Sequence, residues 1–142
     1  MNRQEKVEFL NRYKDLDDAI DQKCDEMSMW RARATKITPT YSDMPKGGQQ
    51  GDKIQSAVEK MYEVEREIDS DIDRLIIIKR DIIKAICSIE NRMLRRLLFL
   101  KYLDKREDYT WEQTAVKMNY TYRHITRMHG LALDKMHVVS CP

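Results

Sequence analysis

Glycine and proline are scarce in this sequence, at four and three residues, so few positions force a helix to stop. Aromatic residues make up only 8% of the chain. Few breaks and few aromatics favour helices, and long ones. Cys24, Cys87 and Cys141 are far apart and form no C-x-x-C pair, which reads as an intracellular chain with reduced thiols. No run approaches the roughly 18 apolar residues of a membrane helix. The opening "MNRQEKVEFL" has no apolar signal-peptide core, so a cytoplasmic protein without a membrane partner is expected.

Motifs for chemistry are also missing. There is no glycine-rich phosphate loop and no Ser/His/Asp or Cys/His arrangement, so neither an enzyme nor a cofactor is expected. "DSDIDR" (residues 69–74) begins like a calcium loop. Its sixth position is Arg74 rather than Gly and its twelfth is Arg80 rather than Glu, while Ile68, Ile72 and Leu75 keep helical period through it. A solvated acidic helix face fits better. His124 and His129 are five apart and fall on different helix faces, and with His137 and Cys141 they show no zinc spacing. No metal site is expected.

What the chain does have is charge, at 35% of residues, with a net of only +2. The charge is unevenly spread. Residues 1–89 hold 16 Lys/Arg against 18 Asp/Glu, whereas residues 90–142 hold 10 against 6. An electrostatic footprint for an anionic partner therefore belongs in the C-terminal part.

Apolar residues recur at steps of three and four from Val7 through Leu10, Tyr13, Leu16, Ile20, Cys24, Met27 and Trp30 to Ala34, predicting a helix over about residues 6–34. Residues 36–51 hold two of the three prolines and three of the four glycines. They read as a loop, longer than the roughly 2–8 residues that usually join helices. It serves as a flexible connector or folds back through Ile37, Tyr41 and Met44 to meet a partner. Asp52 with Gln55 suggests a capping box for the next helix. That helix, over about residues 52–88, carries a heptad row of Ile54, Met61, Ile68, Leu75, Ile82 and Ile89. A second row takes Val58, Glu65, Ile72, Lys79, Ile86 and Met93, with Glu65 and Lys79 as interruptions that set register. The expected architecture is all-α: a long antiparallel coiled-coil hairpin over residues 1–88, then a helix-turn-helix domain over residues 89–142. Two helices alone bury little, so a homodimer through the hairpin is a further expectation.

In the second domain "NRMLRRLLFLKYL" predicts a helix with Met93, Leu94, Leu97, Leu98 and Leu100 inward, followed by the polar loop "DKREDY". Thr110 with Gln113 caps a short helix whose inner face is Trp111, Ala115 and Met118. Asn119 suits a left-handed turn. Thr121 caps a second helix with Ile125, Met128, Ala132, Leu133 and Met136 inward. This is the layout of a helix-turn-helix. Tyr122, Arg123, Thr126 and Arg127 are left outward near the start of the second helix, where a recognition helix meets base edges. Arg123 and Arg127 lead the candidates. The cap at Thr121 and the nearby His124 and Lys117 suit phosphates, with Arg95, Arg96 and Lys101 as supporting cations, while His129 is expected at the boundary between helices.

"TWEQTAVKMNYTYRHITRMHGLALDKM" resembles the promoter-reading C-terminal domain, region 4, of bacterial sigma factors, and aligns to that pattern without a gap. "LRRLLFLKYL" resembles the preceding helix of that domain. The resemblance implies DNA contact by Tyr122, Arg123, Thr126 and Arg127. Tyr122 and Thr126 depart from it, standing where that family is often basic. The whole chain is similar to small phage-encoded proteins with a sigma-like C-terminal domain, related in style to the ArpU- and RinA-type activators of phage late genes. Together these features imply a sequence-specific regulator of transcription that binds double-stranded DNA and has RNA polymerase as a second partner. The alternative is a coiled-coil adaptor that binds RNA polymerase or another protein without reading DNA.

Overall fold

The computed structural model describes residues 1–35, 49–104 and 109–139, of which 49–51 by their backbone alone. Every regular element among them is helical. α1 spans Arg3–Thr35, α2 Gln49–Cys87, α3 Arg92–Leu98, α4 Trp111–Met118 and α5 Tyr122–Lys135. α3 continues directly into a π-helical turn, Phe99–Leu103. No described helix is long and apolar enough to cross a membrane. The expected loop 36–51 lies mostly outside the described residues. Its last three residues, Gln49 to Gly51, already belong to α2, so Asp52 sits inside the first helical turn and does not cap it.

The described chain forms two compact units. One comprises Met1–Leu16 with Leu75–Pro142, the other Asp17–Arg74. The division expected after residue 88 follows sequence order, whereas packing groups the start of α1 and the end of α2 with the short helices. In that first unit one core takes Leu10 and Tyr13 from α1, Ile78, Ile82 and Ile86 from α2, and Leu94, Leu97 and Leu98 from α3. Ala115 and Met118 of α4 join it, as do Ile125, Met128, Ala132 and Leu133 of α5. Three short helices cannot enclose a core alone, and the ends of the long helices complete it.

In the second unit Ile20 from α1 and Ala57, Val64, Ile68 and Asp71 from α2 are buried. The Lys23 ammonium meets the Asp71 carboxylate at 2.5 Å and Glu67 at 3.6 Å. The expected calcium-like stretch is unbroken helix, and Asp71 within it faces α1.

The second row of α2 differs from the sequence expectation. The buried positions are Ala57, Val64, Asp71, Ile78 and Ala85, each three residues after a member of the first row rather than four. Glu65 and Lys79 are exposed and interrupt nothing. Ile72 is 40% exposed, and Ile76 and Ile77 are 53% and 57% exposed. The two alternative rows flank the first on opposite sides, and of the +4 row Glu65, Ile72 and Lys79 are exposed. Two alanines and one aspartate mark the buried flank, where Lys23 neutralises Asp71. Ile86, from the expected row, is fully buried all the same, within the core that the short helices share.

Candidate nucleic-acid interface

The candidate site is built on short elements held by local hydrogen bonds. Asn91 starts α3 by accepting from the backbone N–H groups of Met93 and Leu94. Met93 and Leu100, expected inward, are only half-buried, while Leu94, Leu97 and Leu98 are fully inward. The π-helical turn adds a residue per turn, and the Asp104 N–H reaches back to the Phe99 carbonyl at 3.0 Å. It carries Tyr102 into the core, where the side chain is 3% exposed.

α4 begins with the expected capping box. The Gln113 N–H donates to Thr110 Oγ1 at 3.2 Å, and the Thr110 N–H donates to Gln113 Oε1 at 3.0 Å. The Thr114 hydroxyl donates to the Thr110 carbonyl at 2.9 Å, which lets this polar side chain be fully buried. α4 ends at Asn119 in the left-handed region, φ 60° and ψ 38°. The Tyr120 N–H then closes on the Ala115 carbonyl at 2.9 Å. Thr121 follows as the cap of α5, its Oγ1 accepting from the His124 N–H at 3.2 Å. Three residues thus turn the chain from α4 into α5, and Ala115 allows the close crossing.

α5 buries Ile125, Met128, Ala132 and Leu133 and leaves Tyr122, Arg123, His124, Thr126 and Arg127 exposed. Thr121 and Lys117 are exposed as well. The Thr126 hydroxyl donates to the Arg123 carbonyl at 2.9 Å, so its lone pairs remain as acceptors. The His124 ring tilts against Tyr120, and the Lys117 ammonium lies over the Tyr109 ring. Among the supporting cations, Arg95 is otherwise engaged. Its guanidinium donates to the Ile89 carbonyl at 2.9 Å, just beyond the end of α2. Lys101 donates to the Tyr109 carbonyl and covers the Trp111 ring.

The sequence reading misses the neighbour of this face. The first turns of α1 lie along α5. Arg3 grips Asp134 with two hydrogen bonds, 2.8 and 2.6 Å, which hold the Asp134 carboxyl below its usual range. Lys6 donates to the carbonyls of Leu133 and Met136 at the end of α5, satisfying acceptors that a helix leaves open there. Gly130 permits the approach, since a Cβ there would stand 3.1 Å from the Arg3 guanidinium. Val7 and Asn11 of α1 consequently share a cleft of about 350 Å³ with Trp111, Tyr122, Thr126 and His129. Nothing in the periodicity around Asn11 signals this, because the contact joins segments more than a hundred residues apart.

At the floor of the cleft His129 Nε2 and the Tyr102 hydroxyl are 2.7 Å apart, and the edge of the His129 ring meets Trp111. Burial, then the charges of Lys101 and Arg3, push His129 down to about 4. Burial pushes Tyr102 up to about 12. Both are therefore neutral near pH 7, with one proton bridging them. Among the described residues the carboxylates of Asp17, Asp18 and Asp21 come together in the second unit, largely exposed.

No family model, no curated protein and no solved structure matches the chain.

Proposed function

We propose that this protein is a sequence-specific DNA-binding regulator of transcription that reads the major groove with α5. One observation carries the reading: Arg123 and Arg127 project together from the N-terminal half of a helix capped by Thr121 and braced by α4 across the Asn119 turn. That arrangement fits a helix-turn-helix, whose second helix meets base edges with its first turns. Arginine bonds guanine bidentately, and the exposed Tyr122 and Thr126 offer hydroxyls to phosphates or adjoining bases. His124, Thr121 and Lys117 border the same surface and suit backbone contact. Kinship with the sigma region 4-like phage regulators belongs to this proposal.

The long helices form an antiparallel coiled-coil hairpin in this reading. The Lys23–Asp71 pair in one unit and the Lys79 ammonium over the Tyr13 ring in the other support it. The hairpin is the part that would pair two copies or grip RNA polymerase. A second reading is an adaptor that binds protein alone, favoured by the exposed Ile72, Ile76 and Ile77 of α2.

Titration against duplexes enriched from genomic fragments, at several salt concentrations, separates the two. A DNA reader loses affinity steeply with salt and prefers the enriched sequences. Replacing Arg123 and Arg127 together with alanine then abolishes the preference. Binding that is equally weak to every duplex and unchanged in the double variant favours the adaptor.

A further inference from the structure

Asn11 is half-buried, lines the cleft beside Tyr122 and Thr126, and its amide bonds to no described residue. Among the described residues no buried side-chain nitrogen or oxygen lacks a partner, so this amide, bonded to none of them, is open to the water of the cleft and to a ligand there. An asparagine amide offers two donors and a carbonyl acceptor, so this one is equipped for a ligand. Its position is firmly held. Arg3 on Asp134 and Lys6 on the last carbonyls of α5 anchor the start of α1 against the same helix that carries Arg123 and Arg127. Val7 is one turn before Asn11 and adds an apolar wall to the cleft.

Resting on the DNA-binding reading above, we propose that this cleft reads one A·T base pair and that Asn11 of α1 is a specificity-determining residue. The Asn11 amide donates to adenine N7 and accepts from adenine N6, the bidentate match of asparagine to that base. Val7 meets the thymine methyl group, which the same pair presents in the major groove. Tyr122 and Thr126 close the cleft from α5. A phosphate is a poorer occupant. Lys101 also lines the cleft, but its ammonium is engaged by the Tyr109 carbonyl and the Trp111 ring, while Glu8 and Asp15, both exposed, fall three residues before and four after Asn11 on the same helix face and disfavour an anion beside it. A neutral base edge meets no such penalty. The reading head is thus composite, with α5 supplying the arginines and α1 supplying the amide.

The test selects bound duplexes from a random library with the full-length protein and with its Asn11→Ala variant. Alanine is the better helix former and no internal hydrogen bond is lost, so the variant folds. The wild type selects A·T at one fixed position, and Asn11→Ala loses that selection alone. At that position 7-deazaadenine, which lacks the N7 acceptor, weakens the wild type about tenfold, and uracil in place of thymine weakens it by a smaller factor. 7-Deazaadenine does not further weaken Asn11→Ala, whereas uracil, which tests the Val7 contact, still does. An unchanged A·T preference in Asn11→Ala, or a uniform loss across all sequences, overturns the role of Asn11. In either case a lost preference in Arg123→Ala shows that the DNA-binding reading still stands. If neither variant alters binding to any duplex, the DNA-binding reading falls, and this inference with it.

Discussion

The Tyr102 hydroxyl and His129 Nε2 lie 2.7 Å apart, joining the π-helical turn after α3 to the middle of α5. Both rings stay uncharged in the folded protein around neutral pH. His129 titrates near 6.5 when unfolded and near 4 when folded. Between those values the unfolded chain binds a proton that the folded protein refuses. This contribution to stability is therefore complete above about pH 6.5 and is lost progressively as pH falls towards 4. Urea unfolding across that window should show stability falling on acidification. His129→Gln keeps a hydrogen-bonding partner for Tyr102 and should flatten the slope. A slope unchanged in the variant assigns it to other groups.

Arg123 and Arg127 carry the DNA prediction. Each arginine bidentate to guanine contributes about 1–3 kcal/mol of discrimination. Competition between enriched and scrambled duplexes should show each single alanine variant losing about ten- to a hundredfold of the preference. Lys117→Ala, which removes a backbone contact in the proposed reading, should instead weaken all duplexes alike and lower the salt slope by about one.

The two threonine caps test the local scaffold. Thr110→Ala removes one half of a capping box and Thr121→Ala removes the cap of α5. Each should cost about 1 kcal/mol in chemical denaturation, while serine at either position should retain most of the stability. Loss of the α5 cap also frees the first turn that presents Tyr122 and Arg123, so Thr121→Ala should weaken DNA binding more than Thr110→Ala does.

Asn119 has the left-handed backbone that ends α4. Glycine adopts that conformation without a Cβ clash, so Asn119→Gly should be neutral or mildly stabilising. Asn119→Val should destabilise by about 1–2 kcal/mol, because a β-branched residue is strained there. Equal stability of the two variants would show that the turn relaxes out of this conformation.

Asp71 and Lys23 test the buried row of α2. Asp71 is 7% exposed, so Lys23→Ala leaves a carboxylate in the seam without its closest cation. Thermal unfolding should shift clearly downward. Pairing Asp71→Leu with Lys23→Met should recover the loss or exceed it, because an apolar pair incurs no desolvation of charge. Asp71→Leu alone failing to match the double variant would locate the residual cost at Lys23.

Much of the fold is legible from near neighbours. Thr110 with Gln113, Asn119 and Thr121 act through groups within four residues, and the structure places each at the helix end where the pattern puts it. The inward residues of α5 follow from 3.6-residue periodicity, and Tyr122, Arg123, Thr126 and Arg127 are exposed accordingly. Periodicity was insufficient in α2, because rows at +3 and +4 flank the same stripe and either can be the buried one. The heptad pattern takes the +4 row, through Ile72 and Ile86, whereas the +3 row is the one buried throughout, with Asp71 paired to Lys23. Tyr109 is another such case, written within a polar loop and found 8% exposed.

By itself the sequence determined the helical class, the caps at Thr110 and Thr121 and the turn between α4 and α5, because these depend on hydrogen bonds and sterics between adjacent residues. Only the tertiary structure decided which flank of α2 is buried and that α1 lies along α5. Arg3 and Asp134 are 131 residues apart, and no local pattern encodes their pairing. That contact forms because the short helices need the ends of the long ones to close their core. It brings Asn11 beside Tyr122 and Thr126 of α5.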